Sequence, residues 1–309
     1  MDVSVIITAY NVERYIRRAI ESALRQQNVT LEIIVVDDAS TDGTWNHISA
    51  HSDPRIKPLR LKANTGPAAA RNAGLAVATG NWIAILDGDD AFEPGRLARC
   101  LTLAARQNAD IVVDNLMVNR ETDGKAFPMF PPEIFSKLDL LDAAIFIKGT
   151  LSKQNNYTLG YVKPIFSHHF LKQHRLSYDS ELRIGEDYQF MLEALLLGAR
   201  CAIEQTAGYY YTARTSSISY RLSRDNITRI MQADARLLAR YTLDNAAAMA
   251  QAKRTRLLKK EYAYTQLIET LKKKDWYGSI KTILSNPACL WLMHRPLNIR
   301  IKRLYHCHE

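Results

Sequence analysis

Residues 82–90 read Trp82-Ile83-Ala84-Ile85-Leu86-Asp87-Gly88-Asp89-Asp90. A short apolar run bounded by turn formers fits a strand covered on both faces, as in a parallel sheet. Three carboxylates follow it within four positions. Like charges this close repel one another unless a cation neutralises them. Mg²⁺ and Mn²⁺ prefer oxygen ligands, and Mg²⁺ takes one or two carboxylates together with substrate phosphates. Gly88 lets backbone approach a ligand closely. The other reading is a solvated acidic turn. An EF-hand loop is excluded, because its alternating ligands and terminal Glu are missing.

The same alternation extends outward from this strand. Val3–Thr8, Glu32–Val36 and Ile56–Leu61 read as strands before it, and Asp110–Val113 as a fifth after it. Asn11 is placed to cap a helix with Ile16, Ile20, Ala23 and Leu24 at helical spacing. The turn-rich stretch Ala39–Gly43 leads into a short helix. Gly66-Pro67 opens another, with Pro at the favoured first position, and Pro94–Gln107 is a third. Buried strands alternating with helices predict an α/β fold: a mostly parallel sheet with helices on both faces. Such sheets bind ligands at the carboxyl ends of their strands. Thr8–Asn11, Asp37-Asp38 and Asp87–Asp90 all fall there.

Beyond residue 115 the pattern loosens. Pro128, Pro131 and Pro132 and the polar stretch Lys148–Leu159 predict a loop-rich segment over the crevice at residues 116–160. Tyr161–Ser180 is mixed. Gly185-Glu186-Asp187 precedes a helix over Tyr188–Leu197, and Gly208–Thr212 reads as a strand ahead of Arg214-Thr215-Ser216-Ser217. From Asn226 to Trp276 the chain reads as helices, and Pro287 and Pro296 divide the end into short pieces. The expected division is an α/β domain over residues 1–224 and a basic, mainly helical extension over residues 225–309.

With 47% hydrophobic and 24% charged residues, the composition is that of a folded protein. The net charge of +9 is concentrated at one end. Residues 251–309 hold thirteen Lys/Arg against four Asp/Glu, and the first 250 residues are balanced. A basic tail points to an acidic partner. Trp276, Tyr277, Trp291, Leu292 and Met293 lie among its charges, which favours an anionic membrane surface over nucleic acid, for which no recognition motif is present. No apolar run approaches the roughly 20 residues that span a bilayer, and no basic-then-apolar leader opens the chain. Cys100, Cys201, Cys289 and Cys307 show no zinc spacing, so unpaired thiols in a reducing compartment are expected.

Single positions carry two readings each. Asp37-Asp38 are turn formers, or carboxylates that accept hydrogen bonds from a base or ribose. A phospho-accepting receiver domain also has acids after a strand, but it is shorter and needs no second acidic cluster. Arg71 sits one turn inside the small-residue helix 67–74, on the surface or reaching the phosphates of a nucleotide. Glu186 and Asp187 are first-turn acids that complement a helix dipole, or reactive carboxylates. No GxGxxG or GxxxxGK[ST] occurs, which removes the main support for dinucleotide and P-loop sites.

In order and spacing, these segments resemble the family 2 glycosyltransferases, which have the GT-A fold. The resemblance is carried by residues 3–11 (VSVIITAYN), 32–43 (EIIVVDDASTDG), 64–66 (NTG), 71–74 (RNAG), 87–90 (DGDD), Glu186-Asp187 and 214–219 (RTSSIS). It covers about residues 1–220. Ala39 stands where the family usually has Gly.

The resemblance implies roles. Thr8, Ala9, Tyr10, Asp37, Asp38, Arg71, Asp87 and Gly88 would bind the nucleotide sugar, with Asp38 facing the uracil. Asp87 and Asp89, the outer members of a DxD motif, would hold Mn²⁺ or Mg²⁺ on the diphosphate, with Asp90 close by. Asp187 would be the general base for the acceptor hydroxyl, with Glu186 next to it. Within the family the chain is most similar to bacterial exopolysaccharide enzymes of succinoglycan type. That implies a UDP-sugar donor, UDP-glucose, and a lipid-linked oligosaccharide acceptor at the cytoplasmic face of the membrane, where the enzyme would be peripheral. Two rival classes are a nucleotidyltransferase, which would release inorganic diphosphate instead of UDP, and a nucleotide- or glycan-binding scaffold. Asp187 in an otherwise intact acidic set argues against the scaffold.

Overall fold

Four parallel strands frame the site: β1 (Val3–Ala9), β2 (Leu31–Asp37), β3 (Ile56–Arg60) and β4 (Trp82–Asp87). In the computed structural model, which describes residues 1–151, 157–214 and 222–293, they stand in the order β3-β2-β1-β4. Every residue of β2 is buried, as a strand covered on both faces requires. The helices between these strands are α1 (Ile16–Leu24), α2 (Thr44–Ser49) and α3 (Pro67–Val77). In α1, Ile16, Ala19, Ile20 and Ala23 face the core.

Asn11 does not cap α1. The residue at that helix start is Tyr15, and Asn11 adopts a left-handed backbone (φ 52°). Its side-chain oxygen accepts from Thr41 N at 2.9 Å, and its own N–H donates to Ser40 Oγ at 3.0 Å. Asn tolerates this conformation better than most residues. It therefore ties the end of β1 to the loop after β2.

The second half of the sheet holds the short β5 (Ala91–Phe92), β6 (Ile111–Arg120), β7 (Ala126–Pro128), β8 (Ile165–Ser167) and β9 (Cys201–Ala213). The order continues β4-β8-β6-β9-β5, with β7 paired to β6. β8 is antiparallel to both β4 and β6, and β6 and β9 are parallel. The sheet is thus mostly parallel, as expected, with an antiparallel insert that the mixed pattern at 161–180 concealed.

Strands β6 and β9 run longer than the sequence predicts because polar residues interrupt them. In β6, Asp114 is neutralised by Arg96 at 2.8 Å. The Asn115 amide donates to Phe130 O and accepts from Phe130 N. In β9 the register shifts opposite Asp114/Leu116, around residues 204–209. Gly208 sits in that irregularity, where a Cβ would lie 2.7 Å from Arg96 Cγ and 2.8 Å from Asp114 Oδ2. Only glycine lets β9 pass over this buried ion pair.

The region expected to be loop also contains α5 (Pro132–Phe135) and α6 (Ala143–Leu151). Further on, α7 (His168–Gln173) and α8 (Glu186–Leu196) follow, and α4 (Arg96–Gln107) precedes β6. The extension consists of α9 (Arg224–Arg240), α10 (Asn245–Lys272) and α11 (Trp276–Ser285). Leu237, Ala247 and Ala250 belong to the main hydrophobic cluster, so the start of the extension packs on the α/β core. Ala263, Leu267 and Cys289 form a separate small cluster where α10 meets the short helical turn Pro287–Leu292. No described helix is long and apolar enough to cross a membrane. Cys100, Cys201 and Cys289 are free and buried. Residues 152–156 of the polar stretch, Thr215–Ser219, Pro296 and Cys307 lie outside the described residues.

Candidate active site

The strand register gathers the three expected clusters. Thr8 pairs with Val36 on one side and Asp87 on the other, and Ala9 pairs with Asp37. The carboxyl ends of β1, β2 and β4 therefore form one edge. α8 brings Glu186 and Asp187 to the same edge in its first turn, after Gly185 in a left-handed conformation (φ 89°). The helix begins two residues earlier than predicted, so both acids are helical. There they complement the helix dipole.

Five charged side chains form a connected network. Arg71 Nη2 lies 2.9 Å from Asp87 Oδ1, and its Nη1 lies 2.6 Å from Glu186 Oε1 and 2.9 Å from Asp187 Oδ1. Lys163 Nζ lies 2.7 Å from Asp87 Oδ2 and 3.0 Å from Asp187 Oδ2. Two cations thus bridge Asp87 to the carboxylates of α8. Arg71 is 3% exposed, so it is no surface arginine. Its guanidinium also lies over the Tyr178 ring at 5.4 Å, and that ring stacks on Phe190.

These contacts shift the groups. Burial pushes the Asp87 carboxyl up, but Lys163 and Arg71 outweigh it and hold it well below the usual carboxylate range. Glu186 is raised, first by burial and then by Asp187 beside it. Burial disfavours the charge on Lys163, yet Asp187 and Asp87 hold its ammonium well above the ordinary lysine value.

The remaining acids of the cluster point elsewhere. Asp89 Oδ2 pairs with Arg214 Nη2, and the Asp89 carbonyl accepts from Arg18 and Thr212. Its carboxyl is raised by burial and by Asp87. Asp90 is fully buried. It accepts from Tyr209 OH at 2.7 Å through Oδ2 and from Thr212 N at 2.7 Å through Oδ1. Burial and the Asp89 and Asp87 charges raise it well above the usual range. Tyr209 OH also accepts from Asp87 N, so Asp90 fastens β9 to the end of β4.

Asp37 and Asp38 are buried as well. Asp37 meets Arg60 at 3.1 Å and the Ser40 N–H. Asp38 accepts from the Thr65 and Gly66 N–H groups at 2.8 Å and from Asn64 Nδ2 at 3.0 Å, fixing the turn before α3. Tyr10 is exposed at the rim, and Ala9 is buried beside it. The close approach at Gly88 is to β1: its N–H donates to Thr8 O at 2.9 Å, and a Cβ would meet that oxygen.

Helix α8 is anchored by the extension. Tyr188 OH donates to Gln251 Oε1, and Gln189 Nε2 donates to Asp234 Oδ1 at 2.7 Å. Asp234 Oδ2 accepts from Gln251 Nε2 and Arg254 Nε. These residues of α9 and α10 grip the two positions directly after Asp187.

Among the described residues no group of three or more His, Cys, Asp and Glu converges to hold a metal. Asp87 and Asp89 fit a divalent cation only jointly with ligand oxygens, which is how Mg²⁺ is commonly held on phosphates. Two buried donors, Arg71 Nε and Arg214 Nε, have no hydrogen-bond partner among the described residues. Their chemistry suits an anion at the same edge. Together the two carboxylates and these donors fit a divalent cation carried on an anion such as a diphosphate.

Lys163, Arg18, Tyr209 and Thr212 are not singled out as site residues by the sequence. Lys163 carried one signal: a lone charge before Pro164 in the apolar run Tyr161–Phe166.

The Glycosyl transferase family 2 description matches residues 4–170. The chain is 42% identical over 303 residues to the succinoglycan biosynthesis protein ExoO of Rhizobium meliloti, covering 98% of this chain and 87% of that protein. By structure it is similar to TarS residues 1–349 of S. aureus in complex with UDP-GlcNAc, with TM-score 0.68 and 20% identity over 92% and 91% of the two chains. It is also similar to the mannosyltransferase PcManGT of Pyrobaculum calidifontis in complex with GDP-Man and Mn²⁺, with TM-score 0.60 and 17% identity over 98% and 87%. At these identities the two structures speak to the fold.

Proposed function

We propose that this chain, which belongs to glycosyl transferase family 2, moves glucose from UDP-glucose to a growing lipid-linked repeat unit of an exopolysaccharide, with inversion at the anomeric carbon. The observation that carries the reading is Asp187 held beside Asp87 by Arg71 and Lys163. This puts a partly exposed carboxylate next to two cations whose chemistry suits a diphosphate. The 42% identity to a succinoglycan biosynthesis protein supports the polysaccharide assignment. The enzyme would work peripherally at the inner face of the cytoplasmic membrane, where such an acceptor is available.

Thr8, Ala9, Tyr10 and the turn fixed by Asp38 would line the nucleoside pocket, with Asp37 bracing it from below. Arg71 and Lys163 would orient the diphosphate. Asp187 would take the proton of the acceptor hydroxyl as that oxygen attacks the anomeric carbon. It is the better-placed acid, with 24% of its side chain exposed against 10% for Glu186. Each Asp187 oxygen meets one cation, and a carboxylate oxygen has two acceptor sites, which leaves room for a hydroxyl. Asp87 and Asp89 would hold Mn²⁺ or Mg²⁺ together with the diphosphate, and Asp90 would brace them. The metal supplies charge stabilisation on the leaving group.

Incubation with UDP-glucose and a lipid-linked acceptor fraction is expected to release UDP and form a glycolipid with inverted anomeric configuration. Consumption of a different nucleotide sugar would replace glucose. Inorganic diphosphate in place of UDP would overturn glycosyl transfer.

A further inference from the structure

Helix α11 is built inside out. Its buried residues are Ser279, which hydrogen-bonds Thr270 of α10, and Thr282, and of its apolar residues Ile283 packs inward on the Ala263, Leu267 and Cys289 cluster. Trp276, Tyr277, Ile280 and Leu284 are 58–79% exposed. At 100° per residue these four fall within about 100° of arc, so they form one continuous apolar face. Leu290 and Trp291, just beyond the helix, are exposed too. Leu292 is buried, so only part of the apolar tail residues join this surface. Contiguous exposed apolar surface of this kind marks an interaction site.

Its rim identifies the occupant. Lys272, Lys273 and Lys274 are exposed immediately before the helix, and Lys281 is exposed on it. Lys260 lies near the Trp291 ring, 5.8 Å from its centroid. The nearby acids have partners within the protein: Asp275 caps α11 through Gly278 N, and Glu269 pairs with Arg224. Trp and Tyr favour the membrane–water interface, and each basic residue near an anionic membrane contributes about 1 kcal/mol. A second copy of the chain would bring the same lysines against this rim and repel.

We infer that the outer face of α11, with Trp291, inserts into the headgroup region of an anionic lipid bilayer and holds the protein on the membrane. The inference gives the lipid-linked acceptor of the proposed function a physical location and rests on that reading only for its purpose. Binding itself needs no donor or acceptor.

The experiment is flotation of the full chain with phosphatidylglycerol vesicles and with phosphatidylcholine vesicles, without nucleotide. Binding to the anionic vesicles is expected to be at least about tenfold stronger, and to weaken as salt rises. The combined variant Trp276→Ser, Ile280→Ser, Leu284→Ser should lose binding about tenfold or more. Its melting temperature and its UDP release with a soluble acceptor analogue should match those of the unaltered protein. The variant Lys272→Gln, Lys273→Gln, Lys274→Gln should lose the preference for anionic lipid. Unchanged binding by the apolar variant overturns the inference. So does a lipid-free dimer that the variant dissolves, or the absence of vesicle binding in the unaltered protein. Vesicle binding without UDP release from UDP-glucose would instead count against the proposed donor and leave the docking face standing.

Discussion

The guanidinium carbon of Arg254 lies 3.6 Å from the centroid of the Tyr188 ring, one residue beyond the candidate base Asp187. The same side chain donates to Asp234, which holds Gln189. A residue of α10 therefore helps to set the position of α8. Arg254→Met is expected to cost about 3 kcal/mol of stability, because it strips a cation from a buried carboxylate. It should also lower kcat about tenfold with little change in the donor KM, as a small misplacement of the base would. Steady-state kinetics beside thermal melting separates the two effects. A stability loss with kcat intact would make this contact purely structural. An end to the chain near Ala250 falls inside α10 and removes Arg254 altogether.

Asp187→Asn keeps the shape of the proposed base and removes its basicity. Turnover is expected to fall by roughly 10²–10⁴, with donor binding little changed. Lys163→Met should reduce turnover by about 10² and also weaken UDP binding, since it leaves Asp87 and Asp187 with Arg71 alone. Turnover at saturating UDP-sugar and titration with UDP give the two readouts. Near-normal turnover in Asp187→Asn would move the base to Glu186.

Because no protein-only ligand set converges among the described residues, divalent metal and nucleotide should bind cooperatively. Calorimetry should find Mn²⁺ binding at least about tenfold tighter with UDP present, a coupling of about 1.4 kcal/mol. EDTA should abolish transfer and Mn²⁺ or Mg²⁺ restore it, and Asp89→Ala should weaken the coupling. Full activity in EDTA removes the metal from the mechanism.

Glu32 lies at the opposite end of β2 from the site. It accepts from Ser4 Oγ and from the N–H and hydroxyl of Thr79, and pairs with Lys57. Burial pushes its carboxyl up, but Lys57, Ser4 and Thr79 outweigh this and hold it at about 2, against an ordinary 4.5. A group depressed on folding stabilises fully above its unfolded value and loses that contribution as pH falls. The contribution should therefore fade between about pH 4.5 and about pH 2. Glu32→Gln should cost about 2 kcal/mol at neutral pH and leave kcat unchanged. The stability gap between variant and parent should narrow over that acid range in denaturant titrations.

How much of this was legible depends on what each residue's neighbours in sequence reveal. Asp87 and Asp187 stand at element ends, where an acid after a strand or before a helix is visible at once. The strand register put Asp87 at the edge that alternation predicts, and α8 brought Asp187 to it. Lys163 was not legible, because its partners lie 76 and 24 positions away and no spacing links them. Asp38 and Asp90 were legible as acids but not as anchors, because their hydrogen-bond partners come from other loops and strands. The apolar spacing of α11 shows that Trp276, Ile280 and Leu284 share a face. It does not show which way that face turns.

Strand β8 sets a schedule for the growing chain. Trp82–Ala84 on one side and Ile111–Val112 on the other both pair with Ile165–Ser167. The two halves of the sheet meet through this short strand. A ribosome adding about 5–20 residues per second needs about 4–16 s to travel from the end of β4 to the end of β8. Through that interval the facing edges of β4 and β6 have no partner, and Arg71 is the only cation yet made for Asp87 among those that pair with it. The segment that joins the two halves also delivers Lys163, two residues ahead of β8. The bridging of β4 to β6 and the arrival of the second cation for Asp87 are thus one event in the life of the nascent protein, and a chain stalled before residue 163 has neither.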